Sequence, residues 1–248
     1  MKISFVIPAY NEEFYLGKCL RSVLSQLDKQ PDLEAEVIVV NNASTDKTRE
    51  IALSFQKVRV IDEMKKGLVP ARTAGYKATT GDLIANIDAD TVMPDGWLDK
   101  VLELFSKNEK MAALSGPFIY YDLSDLYNFW VKTYYWLAYF WSRIFVFIFK
   151  SGSILQGGNF VINRKCFELI GGFNPKFVFW GEDADIARRM EKVGEVVFSF
   201  DLPIHTSGRR LKGEGMILTA GKYIINYFWT LIFKKPYSRT CADIRFKN

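Results

Sequence analysis

Short apolar runs alternate with longer amphipathic stretches through the first part of the chain. The runs predict four strands, at residues 3–7, 36–40, 58–61 and 83–87. Apolar residues at helical spacing predict three helices between them, at residues 12–27, 46–55 and 69–78, the second capped by Ser44 or Thr45. This order predicts an α/β fold with a mostly parallel sheet covered on both faces, in which ligands bind beyond the carboxyl ends of the strands.

Residues 125–150 differ in character, because they are dense in Trp, Tyr and Phe. Their longest uncharged run, 133–142, is shorter than the ~20 residues that a helix needs to span a bilayer. On a helix, the charged and amide residues of the segment fall in one narrow arc and leave the remaining surface apolar. Those residues are Asp125, Asn128, Lys132, Arg143 and Lys150.

Residues 222–235 repeat this pattern, with an uncharged aromatic stretch that ends in two lysines. Two interpretations fit both segments. One is a helix that lies in a membrane interface, and the other is a helix packed within the protein. We favour the interface because of the charge beside it.

The net charge of the 248-residue chain is +5, and its distribution is uneven. Residues 209–248 contain nine Lys and Arg against two acids, so this segment is strongly basic and the rest is slightly acidic. A basic tail beside apolar segments favours peripheral contact with an anionic membrane. No nucleic-acid-binding motif accompanies it, so we expect no nucleic-acid partner.

Cysteine usage favours a reducing compartment. Cys19, Cys166 and Cys241 are far apart, odd in number and without metal-type or redox-type spacing. The opening residues 1–8 lack a secretory signal and instead predict a buried strand. We therefore expect a cytoplasmic protein at the inner face of the cell membrane.

Asp88 and Asp90 directly follow the strand predicted at 83–87. On an extended backbone, side chains two positions apart point to the same side. Two carboxylates at a strand end form a hard oxygen site for Mn²⁺ or Mg²⁺, which would neutralise a leaving diphosphate. The motif alone is weak evidence, because paired acids are common at surface turns.

Further motifs follow one another in a fixed order. They are FVIPAYNEE at 5–13, VVNNASTD at 39–46, AR at 71–72, IDAD at 87–90, GGNF at 157–160, GGF at 171–173 and WGEDAD at 180–185. This ordered set, over about residues 3 to 210, resembles family 2 of the inverting glycosyltransferases, which have the GT-A fold.

The resemblance implies a role for each donor-side motif. Pro8, Ala9, Tyr10 and Glu12 would line the nucleotide pocket, and Ala89 lies within the aspartate motif. Asn41 and Asn42 stand where the family usually has aspartates that contact the base and ribose, which leaves the base open. Arg72 would approach the base or diphosphate, although Thr73 stands where asparagine is usual. Asp90 would bind the metal directly, and Asp88 the ribose or a metal-bound water.

The resemblance also implies an acceptor half. Asp183 would be the catalytic base that deprotonates the acceptor hydroxyl, with Glu182 in reserve. Gly158 and Asn159 would lie on the acceptor side, and Trp180 would stack on an acceptor sugar or simply pack. His205 would complete the metal site, and Arg209 and Arg210 would close over the diphosphate or touch lipid headgroups.

These residues predict three parts: a nucleotide-sugar and metal half at 1–117, an acceptor half at 118–207 and a basic, apolar tail at 208–248. The expected activity is metal-dependent sugar transfer, with inversion, from a nucleotide-diphosphate sugar to a hydroxyl of a glycan or lipid-linked acceptor. Two rivals remain. They are a non-catalytic membrane-surface scaffold of the same fold and a sugar-1-phosphate nucleotidylyltransferase, which would need a glycine-rich loop after strand one.

Overall fold

A seven-stranded sheet with the order β3-β2-β1-β4-β8-β6-β9 forms the centre of the computed structural model, which describes residues 1–149 and 151–238. A second sheet has the order β5-β10-β7. The strands are β1 (Ile3–Ala9), β2 (Ala35–Asn41), β3 (Val58–Asp62), β4 (Leu83–Ile87), β5 (Thr91–Val92), β6 (Met111–Ser115), β7 (Phe118–Tyr120), β8 (Asn159–Asn163), β9 (Glu195–Phe198) and β10 (Ile204–Thr206).

Nine helices accompany the strands in the described part of the chain. They are α1 (Leu16–Asp28), α2 (Thr48–Leu53), α3 (Leu68–Ala78), α4 (Trp97–Lys107), α5 (Asp125–Phe149), α6 (Arg164–Leu169), α7 (Glu182–Met190), α8 (Arg209–Glu214) and α9 (Met216–Phe233).

Both faces of the central sheet are covered, as the alternation of strands and helices predicts. Phe5 of β1 belongs to a core shared with α1 and α4, whereas its neighbour Val6 belongs to a core shared with α3, α6 and α7. Successive side chains of a strand point to opposite faces, so one strand contributes to both cores. The predicted α/β class with a mostly parallel sheet is confirmed.

One strand runs against the others and brings a later segment to the site. Strands β1 to β4 are mutually parallel, but β8 lies antiparallel between β4 and β6. The start of β8 therefore lies at the edge where β4 ends. The small sheet adds the last segment, because β10 pairs with β5, which follows β4 closely. Residues from the first and last parts of the chain thus meet at one edge.

Two predicted helix starts are wrong in detail. The first helix begins at Leu16 because residues 10–15 form a turn, with Asn11 at a φ of +52°. The Ser44 hydroxyl accepts the Asn11 N–H of this turn at 3.1 Å, so it does not cap α2. Asp46 accepts the Thr48 N–H at 2.9 Å instead.

Helices α5 and α9 expose much apolar surface. On α9 the buried side chains are the polar Thr219, Asn226 and Thr230, whereas Ile217 is 84% exposed and Leu218 is 68% exposed. The outward face of α9 is therefore more apolar than its inward face, the reverse of a helix on a water-soluble core. Among the described residues, α9 is the one helix long and apolar enough to cross a bilayer. The predicted positions Lys150 and Cys241 and the basic residues after Ser238 lie outside the described residues.

Candidate active site

Arg72 lies at the centre of the site, on α3, with its side chain wholly buried. Its Nη1 donates to Glu182 Oε1 at the start of α7, and its Nη2 lies 3.1 Å from Asp88 Oδ1 just after β4. Its guanidinium carbon lies 5.2 Å from the centre of the Phe160 ring. A buried arginine needs such partners to offset its desolvation. Arg72 therefore ties the predicted donor side to the predicted base helix.

Gly158 fits closely against the Asp88 carboxylate. Its φ is +87°, a conformation that glycine adopts without strain. A Cβ at this position would overlap both oxygens of the Asp88 carboxylate. The Gly158 carbonyl also accepts the Asp88 N–H at 3.3 Å. The geometry thus links Gly158 to the donor-side aspartate, and its predicted place on the acceptor side stays a prediction.

Asp183 occupies the first turn of α7, where backbone amides hold its carboxylate. The Ala184 N–H donates to Oδ1 at 2.8 Å, and the Gly157 backbone also bonds to this carboxylate. Burial raises the pKa of Asp183 above its ordinary value, although these hydrogen bonds and Arg72 oppose the shift. A carboxylate with a raised pKa is a stronger base than a solvated one, so the environment of Asp183 suits proton abstraction.

Glu182 is buried beside it. Burial raises the pKa of Glu182 to about 7, against the attraction of Arg72 and with help from the negative charge of Asp183. Its second oxygen, Oε2, is buried and has no hydrogen-bond partner among the described residues. Glu182 therefore has one oxygen committed to Arg72 and the other enclosed.

The raised pKa of Glu182 predicts how stability depends on pH. The folded protein keeps the Glu182 proton up to about pH 7, whereas an unfolded glutamate, with a pKa near 4.5, releases it earlier. Between these values the folded state binds more protons, so wild-type stability falls as pH rises. We expect Glu182→Gln to remove up to about 3 kcal/mol of this loss, measured by urea unfolding at pH 4.5, 6 and 8. An equal pH slope in both proteins would contradict the assignment.

A second ion-pair cluster lies where β1 and β4 end. Arg209 donates to both Glu12 oxygens, with distances of 2.9 Å (Nη1–Oε2) and 2.6 Å (Nη2–Oε1). The same Nη2 lies 3.1 Å from Asp90 Oδ2. Burial raises the pKa of Asp90 to about 7, against Arg209 and with the charges of Glu12 and Asp88. Two buried acids, Glu12 and Asp90, therefore share Arg209, and the charge of Asp88 acts on Asp90.

This cluster suits a divalent cation. Carboxylate oxygens are the ligands that Mn²⁺ and Mg²⁺ prefer. The positive charge beside Asp90 is now supplied by the Arg209 guanidinium. Among residues 1–149 and 151–238, no three His, Cys, Asp or Glu side chains are grouped closely enough to form a metal site alone. His205 lies in β10 between β5 and β7, so its predicted metal role stays a prediction. The other ligands would come from substrate phosphates and water.

The predicted nucleotide pocket lies beside this cluster, at the ends of β1 and β2. Pro8 and Ala9 end β1, Ala89 lies between Asp88 and Asp90, and Tyr10 is half-buried. Asn42 donates to the carbonyls of residues 63 and 65 at 2.9 and 2.8 Å and accepts the Gly67 N–H at 2.8 Å. Asn41 donates to Asp62 at 2.8 Å. Both asparagines therefore position the adjoining loop, and their contact with the base stays a prediction.

Asn159 has a structural task. It is completely buried, accepts the Trp97 Nε1–H at 3.1 Å and donates to the carbonyls of Gly116 and Leu202 at 3.0 Å each. These bonds join the start of β8 to α4 and to the segments beside β7 and β10. The buried hydrogen bonds of Asn159 therefore hold these elements in position around the site.

Trp180 and Arg210 lie together beneath α9. Trp180 is almost fully buried, with its ring centre 5.3 Å from that of Tyr223. The Arg210 guanidinium lies 5.6 Å from the Trp180 ring and 4.9 Å from the Phe179 ring, and its Nη1 is 3.4 Å from Glu214. The packing alternative for Trp180 therefore has direct support, whereas its stacking on a sugar stays a prediction.

Two residues near the acids were not predicted from the sequence. Lys66 Nζ lies 3.0 Å from the Tyr10 hydroxyl and 4.6 Å from the centre of its ring. The Tyr121 hydroxyl donates to the Asp90 carbonyl at 3.3 Å. Neither belongs to a motif. Only the position of Lys66 directly before α3, where a cation faces the nucleotide pocket, could have indicated it.

The chain is similar to known glycosyltransferases. The model of glycosyl transferase family 2 matches residues 4–171, and that of the N-terminal domain of galactosyltransferase matches residues 149–208. The probable glycosyltransferase YdaM of Bacillus subtilis is 28% identical over 211 residues, which are 78% of this chain and 47% of YdaM. The glycosyltransferase GlyA of Streptococcus pneumoniae is 26% identical over 79% of this chain and 29% of GlyA. The chain thus spans less than half the length of these curated relatives.

Solved structures share the fold. The mannosyltransferase PcManGT of Pyrobaculum calidifontis, in complex with GDP-Man and Mn²⁺, has a TM-score of 0.69 at 19% identity, over 94% of this chain and 64% of that one. TarS of S. aureus has a TM-score of 0.64 at 16% identity, over 94% of this chain and 73% of that one. Since the family model matches more than half of the chain, the chain belongs to glycosyl transferase family 2, and it has the GT-A fold.

Proposed function

We propose that this glycosyltransferase is metal-dependent and inverting, and that it moves a sugar from a nucleotide-diphosphate sugar to a hydroxyl of a lipid-linked or cell-envelope glycan. One observation carries the proposal: Arg72 contacts both Asp88 and Glu182, the neighbour of Asp183. The donor-side aspartate and the base helix therefore share one buried cation, and a donor and an acceptor held by them would meet.

The reaction follows from this placement. As the acceptor oxygen bonds to the anomeric carbon, its proton passes to the Asp183 carboxylate, and the bond from that carbon to the diphosphate oxygen breaks. One displacement from the face opposite the leaving group inverts the anomeric configuration. Arg72 contributes by holding Asp88 and Glu182 in a fixed relation.

Asp90 and Asp88 would hold the cation. When bound, Mn²⁺ or Mg²⁺ supplies positive charge that stabilises the leaving diphosphate. PcManGT and GalNAc-T7 are described in complexes with Mn²⁺, with GDP-Man in the former and UDP in the latter, which supports a metal and a nucleotide here without naming the base.

A binding panel and a transfer assay test the proposal together. Thermal shifts with UDP, GDP, CDP and ADP, each with and without Mn²⁺, should select one base and show that binding depends on the metal. The matching nucleotide-sugar, incubated with membrane lipid extract, should yield a product of inverted configuration by NMR. A chain that binds no nucleotide with Mn²⁺ would favour the scaffold alternative, and retention of configuration would refute inversion.

We further propose peripheral contact with an anionic membrane at the cytoplasmic face of the cell. The apolar outward face of α9, the exposed rings of α5 such as Trp130 and Trp141, and the lysines that follow α9 support it. Apolar side chains would enter the interface while nearby lysines contact anionic headgroups. Such contact would suit an acceptor that carries a lipid.

Flotation with vesicles tests the membrane proposal. The protein should float with vesicles containing anionic phospholipid and less so in high salt, because part of the attraction is electrostatic. Ile225→Glu combined with Ile232→Glu should weaken this binding at least about tenfold, because each change removes apolar area that would be buried in the membrane interface. Leu169→Glu is a matched control, because Leu169 is an exposed leucine on α6. Equal flotation of all variants, or none by the wild type, would contradict membrane contact.

A further inference from the structure

Arg209 contacts one of the two Asp90 oxygens that a metal there would use. Its guanidinium lies within 3.1 Å of three carboxylate oxygens, two of Glu12 and one of Asp90. It also lies 4.9 Å from the centre of the Tyr15 ring. Glu12 and Asp90 are mostly buried, so each needs a nearby cation whenever its carboxylate is ionised.

The helix that carries Arg209 lies at the surface, where Arg210 packs against the Phe179 and Trp180 rings. None of the six residues of α8 is buried. Its start is anchored through Asp122, which accepts the Gly208 N–H and the Ser207 hydroxyl, and its end is Gly215, at a φ of +82° with no atom near the position of a Cβ. The contacts of Arg209 are therefore one of several ties of α8, and because no residue of α8 is fully buried, the Arg209 side chain can leave the acids without disturbing the core.

A divalent cation and a guanidinium compete for the same lone pairs and repel each other at short range. We infer that Arg209 is a built-in counter-ion that the metal displaces from Asp90, and that the released guanidinium then binds the diphosphate of the donor. The inference rests on the proposed metal-dependent function and adds an order of events. Guanidinium matches phosphate oxygens, so the displaced side chain gains a new partner close by.

Metal binding without nucleotide gives a decisive test, because a residue that only ligates the donor would not affect it. Free Mn²⁺ is followed by electron paramagnetic resonance at pH 8 for the wild type, Arg209→Gln, Arg209→Lys and Lys212→Gln. We expect Arg209→Gln to bind Mn²⁺ at least about fivefold more tightly than the wild type, with Arg209→Lys between them. Lys212→Gln removes the same charge from α8 at an exposed pair with Asp122, so it should resemble the wild type. Equal or weaker binding by Arg209→Gln overturns the inference.

Hydrogen exchange in the wild type provides a second readout. Mn²⁺ alone should speed amide exchange across residues 208–215 by about fivefold, because it removes the ion pair between Arg209 and Asp90. Nucleoside diphosphate added with Mn²⁺ should slow the exchange again. Unchanged or slower exchange with Mn²⁺ alone overturns the displacement. Failure of this inference can be told apart from failure of the proposed function. If the wild type and the variants bind no Mn²⁺ even with nucleotide, the metal-dependent function is rejected. If transfer depends on metal but Arg209→Gln binds Mn²⁺ with unaltered affinity, only the role of Arg209 is rejected.

Discussion

Asp183→Asn should lower kcat for sugar transfer by about 10³-fold, because an amide cannot accept the proton of the acceptor hydroxyl. The side chain keeps its size, and its carbonyl oxygen can still accept the Ala184 N–H that holds the carboxylate at 2.8 Å. Donor binding should therefore change little. The measurement is a transfer assay at saturating donor, with nucleotide affinity determined in parallel.

Glu182→Gln is the comparison that separates the two candidate bases. In our assignment Glu182 is not the base, because one of its oxygens accepts from Arg72 and the other is buried. We expect this variant to retain at least about a tenth of wild-type kcat, since it changes only the fixed charge near the base. If Glu182→Gln loses more activity than Asp183→Asn, Glu182 is the base.

Arg72→Met should destabilise the folded protein by about 3 kcal/mol at pH 8, because it leaves carboxylates without their buried cation. The effect should be smaller at pH 5, where Glu182, with a pKa of about 7, holds its proton and needs no counter-charge. Methionine retains an unbranched chain against Phe160, so lost packing contributes little. Urea unfolding at both pH values measures the difference.

A double variant distinguishes charge from packing. Arg72→Met combined with Glu182→Gln removes both members of the buried pair, so it should recover at least about half of the stability lost at pH 8. Transfer should be low both in Arg72→Met and in the double variant, because in each of them Asp88 has lost its partner at 3.1 Å. Equal losses in the single and double variants would show that Arg72 acts through its shape.

The alternation of apolar runs was sufficient to predict the parallel part of the sheet. Strands β1 to β4 and helix α3 lie close to the predicted bounds, whereas α1 begins four residues later than predicted. These features are local, so the sequence within each window contains most of the information.

Contacts between distant segments were beyond such reasoning. Nothing in the sequence near Glu12 predicts its contact with Arg209, which lies 197 positions later. Arg209 comes close to Glu12 because β10, shortly before it, pairs with β5. The burial of Arg72 was equally hidden, since an arginine on an amphipathic helix is usually exposed. The motif residues were thus identifiable by type and order, whereas their partners required the three-dimensional path of the chain.

The reversed direction of β8 has a consequence for folding during synthesis. Strand β6 hydrogen-bonds only β8 and β9 among the described residues, and β4 has β8 on its outer side. A nascent chain that ends before residue 159 therefore holds β4 and β6 with open edges, and such edges are prone to pair with other chains. Truncation near residue 117, between the predicted halves, should therefore yield an aggregating fragment, because β4 would lack the partner strand β8 that the later half supplies.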